Sequence, residues 1–186
     1  TRKSVNAFLR PDPLRVQHWK DQLSEVGTGP YVGISWKSPF ITPRRAKNYT
    51  QIKDWKPIFT LPDITLINLQ SKDFEDDLKQ FQMDHNVTIH NFDKLDHYDD
   101  LDEVAALSAA LNMCVSVSTA VSTITAGVGT PTKMLHWRQS SWNNIITNPV
   151  GPSIDIFERN TWEPWDKVFN LIAKELLKLK KNWSKQ

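Results

Sequence analysis

The spacing of apolar residues along the chain changes at clear punctuation marks. Leu14, Val16, Trp19, Leu23 and Val26 form a one-sided stripe that predicts a helix over residues 12–26. Pro13 falls in its first turn, where a missing N–H costs nothing. Gly27, Gly29 and Pro30 end it. YVGISW, residues 31–36, is a short apolar run between turn signals and predicts a buried strand. The polar stretch SPFITPRRAKNYT predicts a long loop, and Gln51 to Phe59 a short helix. DITLINL, residues 63–69, is rich in β-branched residues and predicts a second strand.

The alternation continues. Phe74, Leu78, Phe81 and Met83 give residues 74–85 an apolar side and predict a helix. VTIH, 87–90, reads as a third strand. The acidic loop NFDKLDHYDDLDE leads into the strong helix former VAALSAAL. MCVSV, 113–117, is a fourth strand, followed by a helical stretch at 119–127. TKMLHW, 132–137, and SIDIF, 153–157, are the fifth and sixth strands, and Trp165 to Lys180 is a closing helix. Strands alternating with helices call for parallel strands joined by crossovers, hence a doubly wound, mostly parallel six-stranded α/β sheet. Residues 1–30 are expected to be a leading helix and linker, and residues 31–186 the α/β domain. Periodicity does not set the strand order.

Composition narrows the class. The 186 residues suit one domain, and no repeat or low-complexity segment is visible. A formal charge of +2 and no concentrated basic stripe argue against a dedicated nucleic-acid binder. A single cysteine, Cys114, excludes an internal disulfide framework and fits a reducing, cytoplasmic compartment. No apolar run approaches a membrane span, and the first residues lack a signal-peptide core. The basic tail KELLKLKKNWSKQ interleaves leucines with lysines and reads as a helix end, with cations at the negative dipole end.

In an open parallel sheet, ligands bind beyond the carboxyl ends of the strands. Trp36-Lys37-Ser38, Gln70-Ser71 and Ser118-Thr119-Ala120 all follow a strand. The last is the most informative. A strand ends at Val117 and a small-residue helix begins within two residues, so its first N–H groups could hold an anion, with Lys37 adding a cation. Equally, Ser118 or Thr119 could be a helix cap and nothing more. No GxGxxG or GxxxxGK[ST] loop is present, which disfavours ordinary dinucleotide or ATP binding. Asp93, Asp96, Asp99, Asp100, Asp102 and Glu103, with His90 and His97, contain metal-ligand types, but the spacing is not that of a calcium loop. A solvated loop with first-turn acids is the simpler reading. Arg44, Arg45 and Lys47 read as a solvated loop, and Trp137, Trp142, Trp162 and Trp165 as packing residues. Cys114 reads as an inert buried thiol.

Taken together, DDLDEVAALSAALNMCVSVSTAVSTITAGVGTPTKML, FLRPDPLRVQHWKDQL, VGISWK, LINLQ and SSWNN…GPSIDIFERNTWEPWDKV occur in an order that resembles the bacterial tetratricopeptide-repeat-associated glycosyltransferases. These are relatives of the heptosyltransferases and, more distantly, of O-linked N-acetylglucosamine transferases. The resemblance spans most of residues 7–175. It implies the Rossmann-like C-terminal half of a two-domain GT-B enzyme, which binds a nucleotide-sugar donor and needs no metal or other cofactor. It implies a diphosphate near Ser35, Trp36 and Lys37 and around Ser118, Thr119, Ala120, Ser122 and Thr123. Gln70 would lie near the donor, and Asp99, Asp100 and Leu101 near the nucleoside. The partner would be an N-terminal domain of the same protein, which holds the catalytic base, so this half alone is expected to be inactive. Ser118, Thr123 and Thr130 stand where the family carries Asp, His and Lys. A non-catalytic nucleotide-binding or interaction module derived from the fold is therefore the alternative, with a different sugar-nucleotide enzyme, such as an epimerase, a weaker third.

Overall fold

The computed structural model describes residues 7–38, 40, 42–43, 45–72, 74–137, 153–160 and 162–184. Helix α1 (Pro13–Val26) starts at Asp12, whose carboxylate accepts the N–H of Leu14 at 2.8 Å. Strand β1 (Tyr31–Ser35) follows. The long loop contains a 3-10 turn (Arg45–Asn48), and a second one (Ile52–Trp55) runs into the short α2 (Lys56–Phe59). Next come β2 (Thr65–Asn68), α3 (Glu75–His85) and β3 (Ile89–His90). Asn86 ends α3 in the left-handed conformation, φ 49°, a common terminator geometry for asparagine. Then α4 (Leu101–Ala110), β4 (Met113–Val117), α5 (Ala120–Gly127), β5 (Thr132–Trp137), β6 (Ile154–Arg159) and α6 (Asp166–Trp183) complete the described elements.

The six strands form one sheet in the order β3-β2-β1-β4-β5-β6, every pair parallel. The expected strand number, direction and class are thus present. The direction of strand addition reverses between β1 and β4, which makes that junction the switch point of the sheet. The third strand is shorter than VTIH suggests: only Ile89 and His90 pair, at the sheet edge. Edge strands of this kind are often kept short.

Side chains of each strand alternate between two cores. Val32, Ile34, Trp36, Met113, Val115 and Val117 point to the layer formed by α2, α3 and α6, with Trp55, Phe59, Phe81 and Phe169. Leu69 and Cys114 point the other way, to α1, α4 and α5, with Trp19, Leu23, Leu107 and Val121. The sheet is buried on both sides, as its near-continuous apolar strands require. Gly33 allows this on the second face: a Cβ there would lie 2.5 Å from Leu69 Cδ1 and 2.6 Å from Leu111 Cδ1.

Polar ties fix the layers. Trp19 Nε1–H donates to Glu103 Oε2 at 2.6 Å, and Arg15 lies 3.0 Å from the same carboxylate, so α1 is fastened to the start of α4. The buried Lys133 pairs with Asp155 at 2.6 Å across β5 and β6. At the end of α6, Trp183 Nε1–H donates to the carbonyl of Thr28 at 3.1 Å, and Lys180 pairs with Asp63 at 2.6 Å. The last helix therefore returns across the sheet to the start of β1 and β2. Of the late tryptophans, Trp137 and Trp165 are buried, with the Arg159 guanidinium over the Trp165 ring, while Trp162 is 94% exposed. Trp142 and Arg44 lie outside the described residues.

Candidate functional site

The candidate site is the rim formed by the carboxyl ends of β1, β2, β3 and β4. At its centre is Gln70, buried and just past β2. Its Oε1 accepts three hydrogen bonds, each at 3.1 Å: from Ser35 Oγ, from the Trp36 N–H and from the Lys37 N–H. Gln70 is held in turn by Asn68, whose Oδ1 accepts its N–H at 2.9 Å. Asn68 Nδ2 also donates to Asn91 Oδ1 at 2.8 Å, beyond β3. One side chain therefore binds the polypeptide leaving β1 to the polypeptide leaving β2. Ser35, Trp36, Lys37 and Gln70, singled out in the sequence, form one hydrogen-bonded unit.

Lys37 has a partner that the sequence does not announce. Its Nζ lies 2.6 Å from Asp77 Oδ2 on α3, and the same oxygen accepts Trp36 Nε1–H at 2.8 Å. The indole of Trp36 is buried, so it orients the carboxylate, and the carboxylate orients the ammonium. These groups line a groove of about 440 Å3 between the second 3-10 turn and α3, with Thr50, Lys53 and Phe81. Asp77 reads in the sequence as one of three first-turn acids in α3, Glu75, Asp76 and Asp77, which is why sequence reasoning missed it.

The β4–α5 junction lies next to β1: Ser35 is in register with Ser116, both buried. Two serines thus lie side by side on neighbouring strands at the switch point. Ser116 was missed because it lies inside β4 rather than past its end, where the strand-exit rule looks. Thr119 is the N-cap of α5. Its N–H donates to Ser122 Oγ at 3.3 Å, and Ser122 Oγ–H donates to the Thr119 carbonyl at 2.7 Å. Ser122 is thereby buried and committed to the cap, while Ser118, Ala120 and Thr123 are exposed. α5 belongs to the layer with α1 and α4, and α3 to the opposite layer. The Lys37 ammonium is drawn to α3, on the other side of the sheet from α5.

Asp99, Asp100 and Leu101 stand apart from this unit, at the start of α4. Asp100 is the N-cap and accepts the Glu103 N–H at 3.0 Å; Arg15 lies 3.7 Å from it. Asp96 accepts the N–H groups of Tyr98 at 2.8 Å and Asp99 at 2.9 Å, which holds its carboxyl below the usual range. Beside this turn is a second cavity, of about 420 Å3, lined among others by Ser71, Phe74, Asn91, Asp93 and His97. The His97 ring is buried, packs against Phe74, and neither ring nitrogen has a hydrogen-bond partner. Burial pushes its pKa down to about 4, against the opposing field of Asp96, so the imidazole is neutral near pH 7. Among the described residues, no group of three His, Cys, Asp or Glu side chains is placed to hold a metal ion. The Cys114 thiol is buried, and its pKa is pushed up to about 12 by that burial.

An all-parallel sheet in this order, with helices on both faces and a polar rim at the switch point, defines a Rossmann-like α/β domain. No family model matches the chain. Protein FlbA of Caulobacter vibrioides is 36% identical over 173 residues, which are 92% of this chain and 29% of that protein. Among solved structures, the ADP-heptose lipopolysaccharide heptosyltransferase II of E. coli is similar with a TM-score of 0.67 at 16% identity, over 96% of this chain and 55% of that one. A glycosyl transferase family 9 member of Veillonella parvula gives a TM-score of 0.58 at 10% identity, over 94% of this chain and 52% of its own. A further E. coli heptosyltransferase, solved with ADP, gives 0.57 at 18% identity, over 90% and 48%. At these identities the likeness is one of fold. The chain spans under a third of the curated relative it matches and about half of each of these enzymes.

Proposed function

We propose that this domain binds the nucleotide-sugar donor of a glycosyltransferase. The observation that carries the reading is the hydrogen-bonded rim at the switch point, on a fold shared with one half of enzymes that include a heptosyltransferase solved with ADP and with ADP-2-deoxy-2-fluoro heptose. In this reading the diphosphate meets the start of α5, at Ser118, Thr119 and Ala120, with Thr123 beside them. Ser122 keeps that turn in shape. Lys37 supplies the cation by leaving Asp77 for the ligand, and Gln70 fixes the backbone from which it projects. The nucleoside lies toward Asp99, Asp100 and Leu101 and the cavity at His97. Transfer is direct displacement at the anomeric carbon, and the domain stabilises the charge that develops on the diphosphate leaving group. The acceptor and the base are supplied by another domain of the full-length protein, in the cytoplasm.

An amide-shift titration with ADP, GDP and UDP at millimolar ligand tests this. Residues 35–38 and 118–123 are expected to move, and no perturbation in either segment would overturn the site. Lys37→Ala should weaken diphosphate binding by about 1.5–3 kcal/mol, the range for a hydrogen bond to a charged group. A nucleoside without phosphates should bind it as it binds the parent.

The first turn of α5 carries no charged side chain, and this favours a second reading, a module that binds nucleotide without transferring sugar. Nucleotide binding by a full-length protein that releases no sugar to water or to glycan and peptide acceptors would select it.

A further inference from the structure

We propose that Asp77 is a positioning residue that sequesters the Lys37 ammonium, and so sets how strongly the exit of β1 holds a nucleoside diphosphate; this rests on the donor-binding reading above. Lys37 is fixed at both ends. Its backbone N–H is held by Gln70 at 3.1 Å, and its Nζ by Asp77 Oδ2 at 2.6 Å. Asp77 is itself held, because the buried Trp36 indole donates to the same oxygen at 2.8 Å. The ammonium therefore rests on the α3 side of the sheet, its charge already matched by a carboxylate.

The side chains of Lys37 and Asp77 are 23% and 33% exposed, so the pair is open to solvent and to a ligand. An ion pair this exposed is weak, and can open at modest cost. Asp77 does not depend on it, for it sits in the first turn of α3, where the helix dipole favours a negative charge, and it keeps the indole N–H. A diphosphate arriving at the rim thus competes with Asp77 for one cation. Removing the charge of Asp77 while keeping an acceptor for Trp36 releases the ammonium to the ligand.

The test is calorimetric titration of the full chain, of D77N, of Lys37→Met and of the double variant. The probes are ADP, GDP, UDP and inorganic pyrophosphate, the last independent of the base, with adenosine as control. D77N is expected to bind pyrophosphate and the nucleoside diphosphates about threefold to tenfold more tightly, the gain expected when one screened ion pair is relieved. Adenosine affinity should be unchanged. The gain must vanish in the Lys37→Met background, because Asp77 acts through the lysine. An unchanged or weaker D77N would overturn the proposal. So would an equal gain without Lys37, which would mean that Asp77 only repels the ligand directly. If the parent chain and D77N bind none of the four phosphate probes, the donor-binding reading falls together with this one. Ordinary binding by the parent with no D77N effect removes this one alone. Asparagine keeps an acceptor for Trp36, so D77N should stay folded with only a small loss of thermal stability, from the helix-start charge and the ion pair.

Discussion

At the residue scale, two buried polar side chains of the rim behave in opposite ways. Gln70 has its carbonyl oxygen saturated by Ser35 Oγ, Trp36 N–H and Lys37 N–H. Replacing it with leucine leaves those donors without an acceptor in a buried place. Gln70→Leu should therefore cost about 2–4 kcal/mol in chemical denaturation, more than its lost contacts alone, because orphaned donors carry their desolvation penalty. His97, by contrast, has two unsatisfied ring nitrogens and a pKa of about 4. Its folded pKa lies below the unfolded value near 6.5, so the unfolded chain binds the proton first as pH falls. Stability is then flat above the unfolded pKa and declines between it and the folded one. The decline attributable to His97 should reach about 2 kcal/mol by about pH 5. His97→Phe should flatten that part of the profile when urea midpoints are compared between pH 7 and 5. Superimposable profiles would mean that water reaches the ring.

At the scale of elements, Gly33 of β1 marks a close fit against the residues that follow β2 and α4. Gly33 sits where the Leu69 and Leu111 methyl groups meet. Gly33→Ala drives a methyl into both, and overpacking of this kind costs about 1–3 kcal/mol, readable as a shift in denaturation midpoint at constant slope. The neighbouring tie of α1 to α4 is polar. Trp19→Phe keeps the ring in the core but removes the 2.6 Å hydrogen bond to Glu103. The expected loss is about 1.5 kcal/mol, as the acceptor is charged, and it should shrink in a Glu103→Gln background if the bond alone is responsible.

At the scale of the whole molecule, the two helical layers are not equal partners in the rim. One layer supplies α5 and α4, and the other supplies Asp77. The sheet between them carries the residues that join the two. Residues 1–30 are expected from the sequence to be a leading helix outside the α/β unit proper, and the structure places Trp19 and Leu23 of that helix in the core over β2 and β4. A fragment beginning at Thr28 should lose the cover over Ile67, Leu107 and Cys114. We expect it to unfold at a markedly lower temperature than the full chain, and to bind an apolar dye that the full chain excludes. An unchanged melting temperature would show that residues 1–27 are an independent leader.

The local spacing of apolar residues determined by itself that strands and helices alternate, where most of them lie, and that the sheet is parallel, because crossover connections leave parallel pairing as the economical way to bury apolar strands. It also located Trp36, Lys37, Gln70 and the start of α5 at strand exits, since the exits follow directly from the strands. It could not shorten β3 to Ile89 and His90, because pairing depends on which strand lies alongside. It could not order the strands, and without that order the register of Ser35 with Ser116 had no sequence signal. Asp77 is 40 residues from Lys37, in a run of helix-start acids that look alike one by one. Only the packing of α3 against the face that carries Trp36 decided which of those acids reaches the lysine. Charge pairing depends on distance through space, and the chain fixes that distance only after its two cores have closed on the sheet.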